Sequence, residues 1–343
     1  MIKKFSLILI TAIISAVVSN LHTAGRVIYG DDNRIDYYRM SQNIKSLADS
    51  VVSLWDATSI SFDTSNNKYR LKTINYGERL NLCKDEPFRN QPIGAFCSGA
   101  LISEDVVITA GHCIKNESKC SSTYFVFGYA VKNSQQPDTA VTEFDPSDVY
   151  KCSKIIKTQV GAEPTEDNPH GTGLGPDYAI IKLDRKVTGK KPLKINTSQK
   201  LVQGQSMFVI GYPVGLPVKF ADGAIVRDPS PYGYFVANLD TYGGNSGSPV
   251  FNAETNLIEG ILVRGETDFV QTPQGCTISN VVPNDGGRGE DVTKISVLYK
   301  YLYGIVPEIT KATEERIMNV NKENVKFIEN LDLSRSVNFS FDR

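Results

Sequence analysis

The chain is poor in histidine and tryptophan and has no large excess of either charge. Its 343 residues include three histidines, six cysteines and one tryptophan, and 37 basic residues balance 38 acidic ones. A net charge of −1 gives no electrostatic reason to expect nucleic acid or an anionic membrane surface as a partner. The cysteines form no C-x-x-C pair of the kind found in zinc sites, so we expect neither a metal nor another cofactor.

Long apolar runs are also missing, except near the N-terminus. Lys3 and Lys4 give a basic start, and residues 5–18 form an apolar run shorter than the roughly 20 residues of a membrane-spanning helix. This pattern predicts a secretory signal peptide over residues 1–19, cleaved after Ser19, with Ala24 as the other candidate position. A retained N-terminal anchor is the alternative. We expect a secreted, periplasmic or cell-envelope protein with no membrane attachment after signal removal.

From residue 97 onward, short apolar segments alternate with turns rich in Gly, Pro, Asn and Asp. Such regular short strands predict an all-β sandwich or barrel. The clearest segments are residues 106–109, 124–127, 178–183, 206–210, 234–237 and 258–263.

The segment before residue 83 is harder to interpret. Residues 59–62 and 69–72 alternate as in a hairpin, and apolar residues at helical spacing precede them. The helical set is Ile44, Leu47, Ala48, Val51 and Trp55. The segment is either a propeptide or an N-terminal extension packed on the rest of the protein, and we expect Trp55 to fill a core.

Three stretches carry candidate catalytic groups. Glycines surround Ser246 in residues 243–247, which leaves the backbone N–H groups open to a substrate and suits an oxyanion hole. A serine hydroxyl needs an adjacent base, and His112 in Thr-Ala-Gly-His-Cys offers an imidazole, the type of side chain suited to that task. Asp177 heads the apolar stretch 177–183 and is a candidate to orient that histidine, with Asp184 at its far end as a competitor.

These motifs, in the order His, Asp, Ser, resemble the signatures of the trypsin/chymotrypsin-like serine peptidases, over residues 96–265. The resemblance implies two packed antiparallel β-barrels (chymotrypsin-like), with an N-terminal extension and a short C-terminal helix or tail. His112 and Asp177 then belong to the first barrel and Ser246 to the second. Gly244 and Ser246 supply the oxyanion-hole N–H groups. The implied activity is peptide-bond hydrolysis through an acyl-enzyme.

The expected organisation is a signal peptide at 1–19, a propeptide or extension at 20–82, and a first barrel at 83–190. A second barrel follows at 191–304 and a helix or tail at 305–343. We expect a monomer that acts on protein or peptide substrates. The sequence from Val27 resembles the mature N-terminus of the glutamyl endopeptidase branch, whose free Val amine is part of the substrate pocket. An extended segment docked on the barrel is the alternative interpretation.

Six cysteines in an exported chain are typical of disulfides. In the resembling family, the cysteine after the catalytic histidine pairs with an upstream strand, which implies Cys97–Cys113. The other four allow three pairings, among which we favour Cys120–Cys152 with Cys83–Cys276. Oxidation of Cys113 also argues against its acting as a nucleophile.

The resemblance places a specificity pocket at Asp240, Thr241 and residues 262–265. Asp240 precedes Ser246 by six positions, where trypsin-like enzymes hold the acid that binds Arg or Lys, although the glutamyl-type relatives carry a similar Asp-Thr pair. Leu262 replaces the histidine that those relatives use for acidic residues, so we expect cleavage after Arg or Lys.

The neighbours of Leu262 also depart from the family pattern. Val263 replaces a serine that supports the catalytic aspartate, Arg264 replaces a cleft tryptophan and is expected to favour acidic residues upstream of the cut, and Gly265 completes the set. Asn245 and Tyr242 replace the usual aspartate and a disulfide cysteine. The alternative function is a secreted protease-like protein that binds partners without catalysis, and the intact triad argues against it.

Overall fold

A computed structural model describes residues 27–161, 174–197, 200–265 and 267–310. The expected signal peptide, His22, His170 and the chain after residue 310, including nearly all of the expected tail, lie outside the described residues.

Most of the described chain is β-structure with a few short helices. The strands are β1 Ile28–Tyr29, β2 Ile35–Asp36, β3 Val51–Asp56, β4 Ile60–Asp63, β5 Lys68–Leu71, β6 Ile74–Asn75, β7 Pro92–Ile93, β8 Cys97–Ser103, β9 Val106–Thr109, β10 Thr123–Phe127, β11 Glu143–Phe144, β12 Val149–Val160, β13 Asp177–Leu183, β14 Ser206–Gly211, β15 Lys219–Asp228, β16 Tyr234–Ala237, β17 Pro249–Asn252, β18 Ile258–Arg264, β19 Phe269–Gln271, β20 Thr277–Ser279, β21 Val281–Val282 and β22 Glu290–Lys294. The α-helices are α1 Gln42–Ala48, α2 Tyr76–Leu80, α3 Glu117–Ser121 and α4 Tyr299–Leu302.

The first six-stranded barrel closes in the order β10-β12-β13-β9-β8-β3, with antiparallel pairing throughout. Its strand β3 comes from the expected N-terminal extension, so the barrel begins at Val51 and not at residue 83 as expected. The prediction of helical structure from Ile44 to Trp55 was also wrong beyond Ala48, where α1 ends. Val51 to Asp56 pairs instead with β8 and β10, and Trp55 is fully buried in the core as expected.

The second barrel closes in the order β14-β17-β18-β22-β16-β15, because β15 also pairs with β14. The short strand β2 adds to β15 from outside, so the N-terminal segment extends this sheet. Apolar side chains from six strands fill the barrel, and Phe235 contributes a fully buried ring to this core. Two closed antiparallel barrels confirm the expected fold, and closure leaves no unpaired barrel edge.

The remaining elements pack around the two barrels. The predicted hairpin is present, as β4 pairs with β5 in antiparallel register. Near the end of the described chain, a 3₁₀ turn over Ile295–Leu298 leads into the short helix α4. Across the described ranges, no helix has both the length and the apolar character needed to cross a membrane.

Candidate active site

The pairing of β9 with β13 brings His112 and Asp177 together. Ala179 lies opposite Thr109 in this antiparallel pair. Asp177 at the start of β13 and His112 just after β9 therefore meet at the same end of the pair. The distance from His112 Nδ1 to Asp177 Oδ2 is 2.8 Å, and the His112 backbone N–H donates to Asp177 Oδ1 at 3.1 Å. Asp177 is buried and a third of the His112 side chain is exposed. The carboxylate therefore fixes the ring while the outer ring nitrogen is left for chemistry.

Asp184, the competing acid, lies at the far end of β13. Its carboxylate accepts from the Lys151 backbone N–H and pairs with Arg185. The geometry therefore favours Asp177 as the partner of the histidine.

Ser246 lies in the loop before β17, and this loop packs on the first barrel. The Ser98 N–H donates to the Ser246 carbonyl oxygen at 2.8 Å, and the Ser98 hydroxyl donates to the Gly244 carbonyl oxygen at 3.0 Å. The Cys113 sulfur, one residue after His112, lies 3.8 Å from the same Ser246 carbonyl oxygen. These contacts place the second barrel's serine beside the first barrel's histidine loop.

Two glycines give the serine loop its shape. Gly244 and Gly247 have φ values of +85° and +89°, a region that favours glycine. A Cβ at Gly247 would lie 2.0 Å from the Ser98 carbonyl oxygen and 2.2 Å from Thr109 Oγ1. Within the described ranges, the Gly244 N–H has no hydrogen-bond acceptor. A backbone donor in the serine loop with no internal partner fits an oxyanion hole.

Asp240 is buried under the N-terminal segment. The Tyr29 N–H donates to Asp240 Oδ1 at 2.7 Å, and the Thr241 N–H donates to the Val27 carbonyl oxygen at 3.4 Å. Asp240 Oδ2 has no hydrogen-bond partner in the part of the chain that the structure describes. Burial raises the pKa of the Asp240 carboxyl to about 7, because the charged form loses its hydration.

Tyr242, at the position of a family cysteine, is covered by a buried cation. The Arg34 guanidinium lies 4.2 Å from the centre of the Tyr242 ring and pairs with Asp32 at 2.7 Å. The N-terminal segment therefore contacts Tyr242 through a cation–π stack.

Glu290 is a buried neighbour of the expected pocket that the sequence reasoning missed. The Thr241 hydroxyl donates to Glu290 Oε2 at 2.9 Å, and a Cβ on Gly265 would lie 2.0 Å from that oxygen. Glu290 is one of many acidic residues and its local sequence carries no distinguishing pattern. Only the pairing of β18 with β22 brings it beside Gly265.

The other expected pocket residues have different surroundings. The Leu262 side chain packs in the core of the second barrel and that of Val263 in the main apolar core, so neither side chain is open to a substrate. Arg264 turns inward, where its Nε donates to Asp291 Oδ2 at 3.0 Å and its Nη2 to the Gly175 carbonyl oxygen at 2.7 Å. We expected Arg264 to meet acidic substrate residues, but its guanidinium is engaged within the protein.

The structure contains the disulfides Cys97–Cys113, Cys120–Cys152 and Cys83–Cys276, which are the implied and favoured pairs. The first ties the histidine loop to β8. Among the described residues, the one grouping of potential metal ligands is Cys97, His112 and Cys113. Its two sulfurs are joined in the disulfide and offer no thiolate, so this grouping does not form a metal site.

Comparison with known proteins finds a similar domain family that spans the site residues. Residues 97–261 match the family described as trypsin-like peptidase domain. The chain is 26% identical over 181 residues to the snake venom serine protease catroxase-2 of Crotalus atrox, covering 45% of this chain and 62% of that protein. It is 24% identical over 181 residues to a trypsin-like protease of Streptomyces glaucescens, covering 46% and 59%. The chain thus spans about three-fifths of the length of these relatives.

Solved structures also align with the chain. A Glu endopeptidase in complex with MPD aligns with a TM-score of 0.43 and 16% identity, covering 87% of this chain and all of that one. The VesB protease of Vibrio cholerae aligns with a TM-score of 0.45 and 16% identity, covering 81% and 67%.

Proposed function

Because residues 97–261 match the family described as trypsin-like peptidase domain, we propose that this chain is an exported serine endopeptidase that uses His112, Asp177 and Ser246. The observation that carries the proposal is the 2.8 Å contact between His112 Nδ1 and Asp177 Oδ2, at the end of the barrel where the Ser246 loop docks. Three disulfides among the described residues support export to an oxidising compartment.

The proposed reaction proceeds in two halves. Ser246 Oγ attacks the peptide carbonyl while His112 Nε2 takes its proton, and the Gly244 and Ser246 N–H groups hold the oxyanion. His112 then returns the proton to the leaving amine, which leaves an acyl-enzyme on Ser246. Water, deprotonated by His112, hydrolyses that ester. Asp177 accepts the Nδ1–H hydrogen bond and stabilises the imidazolium in both halves.

For the substrate, we propose cleavage after Arg or Lys. Asp240 Oδ2 is buried without a hydrogen-bond partner in the described part of the chain, and a cationic side chain that reached it past the N-terminal segment would supply that partner. A bound cation would also stabilise the ionised form of this carboxyl, whose pKa burial raises to about 7. The carboxyl group of Glu290 lies in the same region, where it accepts a hydrogen bond from the Thr241 hydroxyl.

The test is a panel of peptides that differ in the residue before the cut, with the wild type beside four variants, at Ser246, Asp177, Asp184 and Asp240. Ser246→Ala is expected to lose activity by several orders of magnitude, on the order of 10⁶ in kcat. Asp177→Asn is expected to lose roughly 10⁴ through the wrong histidine tautomer. Asp184→Asn, directly after the same strand, is the matched control and keeps activity.

An ester substrate extends the test to the acyl-enzyme, whose accumulation gives a burst of product. Cleavage that survives Ser246→Ala contradicts the proposed nucleophile. Activity that Asp240→Asn leaves equally selective for Arg and Lys contradicts the proposed pocket. If wild-type protein produced with Val27 as its first residue stays inactive, the result favours the alternative of a protease-like binding protein.

A further inference from the structure

Arg264 reaches from the second barrel to the carboxylate that orients His112. Its Nη1 lies 3.9 Å from Asp177 Oδ2, the same oxygen that contacts His112 Nδ1. The Asp177 side chain is 3% exposed and that of Arg264 is 16% exposed, so water screens their attraction little. The Arg264 cation therefore lies next to the His112–Asp177 pair on which the proposed mechanism depends.

The guanidinium is held in place from both sides of the barrel interface. Its Nε donates to the fully buried Asp291 on β22, and its Nη2 donates to the carbonyl of Gly175, two residues before Asp177. The planar guanidinium of arginine can make these two hydrogen bonds at fixed angles. The ammonium of lysine is a point charge on a flexible stem and cannot reproduce that geometry.

The second barrel also holds the backbone of Asp177. The Asp177 N–H donates to Thr293 Oγ1 at 2.9 Å, and that hydroxyl donates to the Asp177 carbonyl oxygen at 2.8 Å. Thr293 is neutral and fixes only the main chain. Arg264 is thus the contact that adds charge as well as position.

We propose that Arg264 is a positioning residue that holds the Asp177 carboxylate in register across the two barrels and keeps a positive charge beside the His112–Asp177 pair. This inference rests on the proposed peptidase function. Val263, where many relatives carry a serine that supports the catalytic aspartate, has a buried apolar side chain, and Arg264 next to it supplies polar support instead.

The sign follows from the charges that face the pair. A cation near Asp177 opposes the positive charge that His112 gains on protonation, so its removal lets His112 protonate at higher pH. The described charged or titratable groups around the pair and its contacts lie on four strands. They are Asp177 and Tyr178 on β13, Tyr234 on β16, whose ring centre lies 5.5 Å from the Arg264 guanidinium, Arg264 on β18, and Asp291 on β22 with its second partner Arg288.

The experiment compares Arg264→Gln, which removes the charge, with Arg264→Lys, which keeps it. For Arg264→Gln, the acidic limb of the kcat/KM profile is expected to move up by roughly one pH unit. For Arg264→Lys, the limb stays in place while kcat falls roughly tenfold, because the fork to Gly175 and Asp291 is lost. Arg288→Gln, which removes the other cation on Asp291, is the matched control and leaves the limb unmoved.

Proton NMR of His112 across the same pH range gives a readout that needs no turnover. The midpoint of its titration is expected to rise in Arg264→Gln and to stay in Arg264→Lys. An unmoved midpoint in a folded Arg264→Gln protein, or an equal rise in Arg288→Gln, overturns the inference. If the wild-type protein does not hydrolyse peptides, the proposed function is contradicted instead. Failure of this inference and failure of the proposed function are therefore distinguishable.

Discussion

The Tyr29 N–H group donates a 2.7 Å hydrogen bond to the Asp240 carboxylate, which joins the N-terminal segment to the region of the proposed specificity pocket. The strand β1 that carries Tyr29 pairs in parallel with β21, and Val27 is fully buried. The segment from Val27 is therefore part of the folded second half of the molecule. Its docking agrees with the interpretation of an extended segment packed on the barrel.

Asp240→Asn is expected to change how stability depends on pH. The raised pKa, about 7 against an ordinary 3.8, means that the folded state holds the proton which the unfolded chain releases near pH 4. The stabilisation from this proton is present below about pH 4 and is lost as pH rises through 7. Asparagine does not ionise, so thermal unfolding should show a gain on the order of 2–4 kcal/mol at pH 8 that shrinks towards pH 4. A gain that is constant with pH contradicts this, and exposed Asp31→Asn is the control.

Lys219→Met is expected to destabilise the fold by roughly 3–5 kcal/mol, because it leaves the Asp36 carboxylate buried without its cation. The two groups are 2.7 Å apart with side chains 2% and 5% exposed. Urea unfolding measures the loss, and the double variant with Asp36→Asn should recover much of it. Lys68→Met breaks an exposed pair with Asp145 at 2.8 Å and should cost less than about 1 kcal/mol. Equal losses in the two single variants would contradict the expectation.

Gly247→Ala is expected to cost stability and nearly all activity, since the added Cβ meets the Ser98 carbonyl oxygen and moves the Ser246 loop. Gly275→Ala is a matched control, because its φ of +86° is similar to +89° but no atom lies within 4 Å of the added Cβ. The control should show only the backbone strain, roughly 1–2 kcal/mol, with activity kept. Similar effects at both sites would show that the contact with Ser98 is unimportant.

Replacing both cysteines of a disulfide by alanine is expected to cost more for Cys83–Cys276 than for Cys120–Cys152. The separations are 193 and 32 residues, and loop closure predicts losses of roughly 5 and roughly 4 kcal/mol. Denaturant midpoints of the two double variants check the order. The reverse order would mean that structure in the unfolded chain, and not loop length, governs the effect.

Much of the fold follows from local pattern. Short apolar strands between turn residues predict an all-β protein, and the hairpin of β4 and β5 has the predicted position. The segment 44–55 shows the limit of such reasoning, because apolar spacing that suits a helix throughout belongs to a helix only as far as Ala48. The strand that follows exists because two barrel neighbours satisfy its backbone, and those neighbours are remote in sequence.

The sequence by itself determined the types of chemical group and their order: a histidine, an acid and a glycine-flanked serine, each in a short motif whose local geometry its neighbours impose. Only the tertiary structure decided which distant charges meet them. Glu290 lies beside Thr241 across 49 residues, and Arg264 comes within 3.9 Å of Asp177. Barrel closure and strand register set these contacts, and many strand orders satisfy the same alternation of apolar and polar residues. The partners of buried charges are therefore fixed by non-local packing that no short motif encodes.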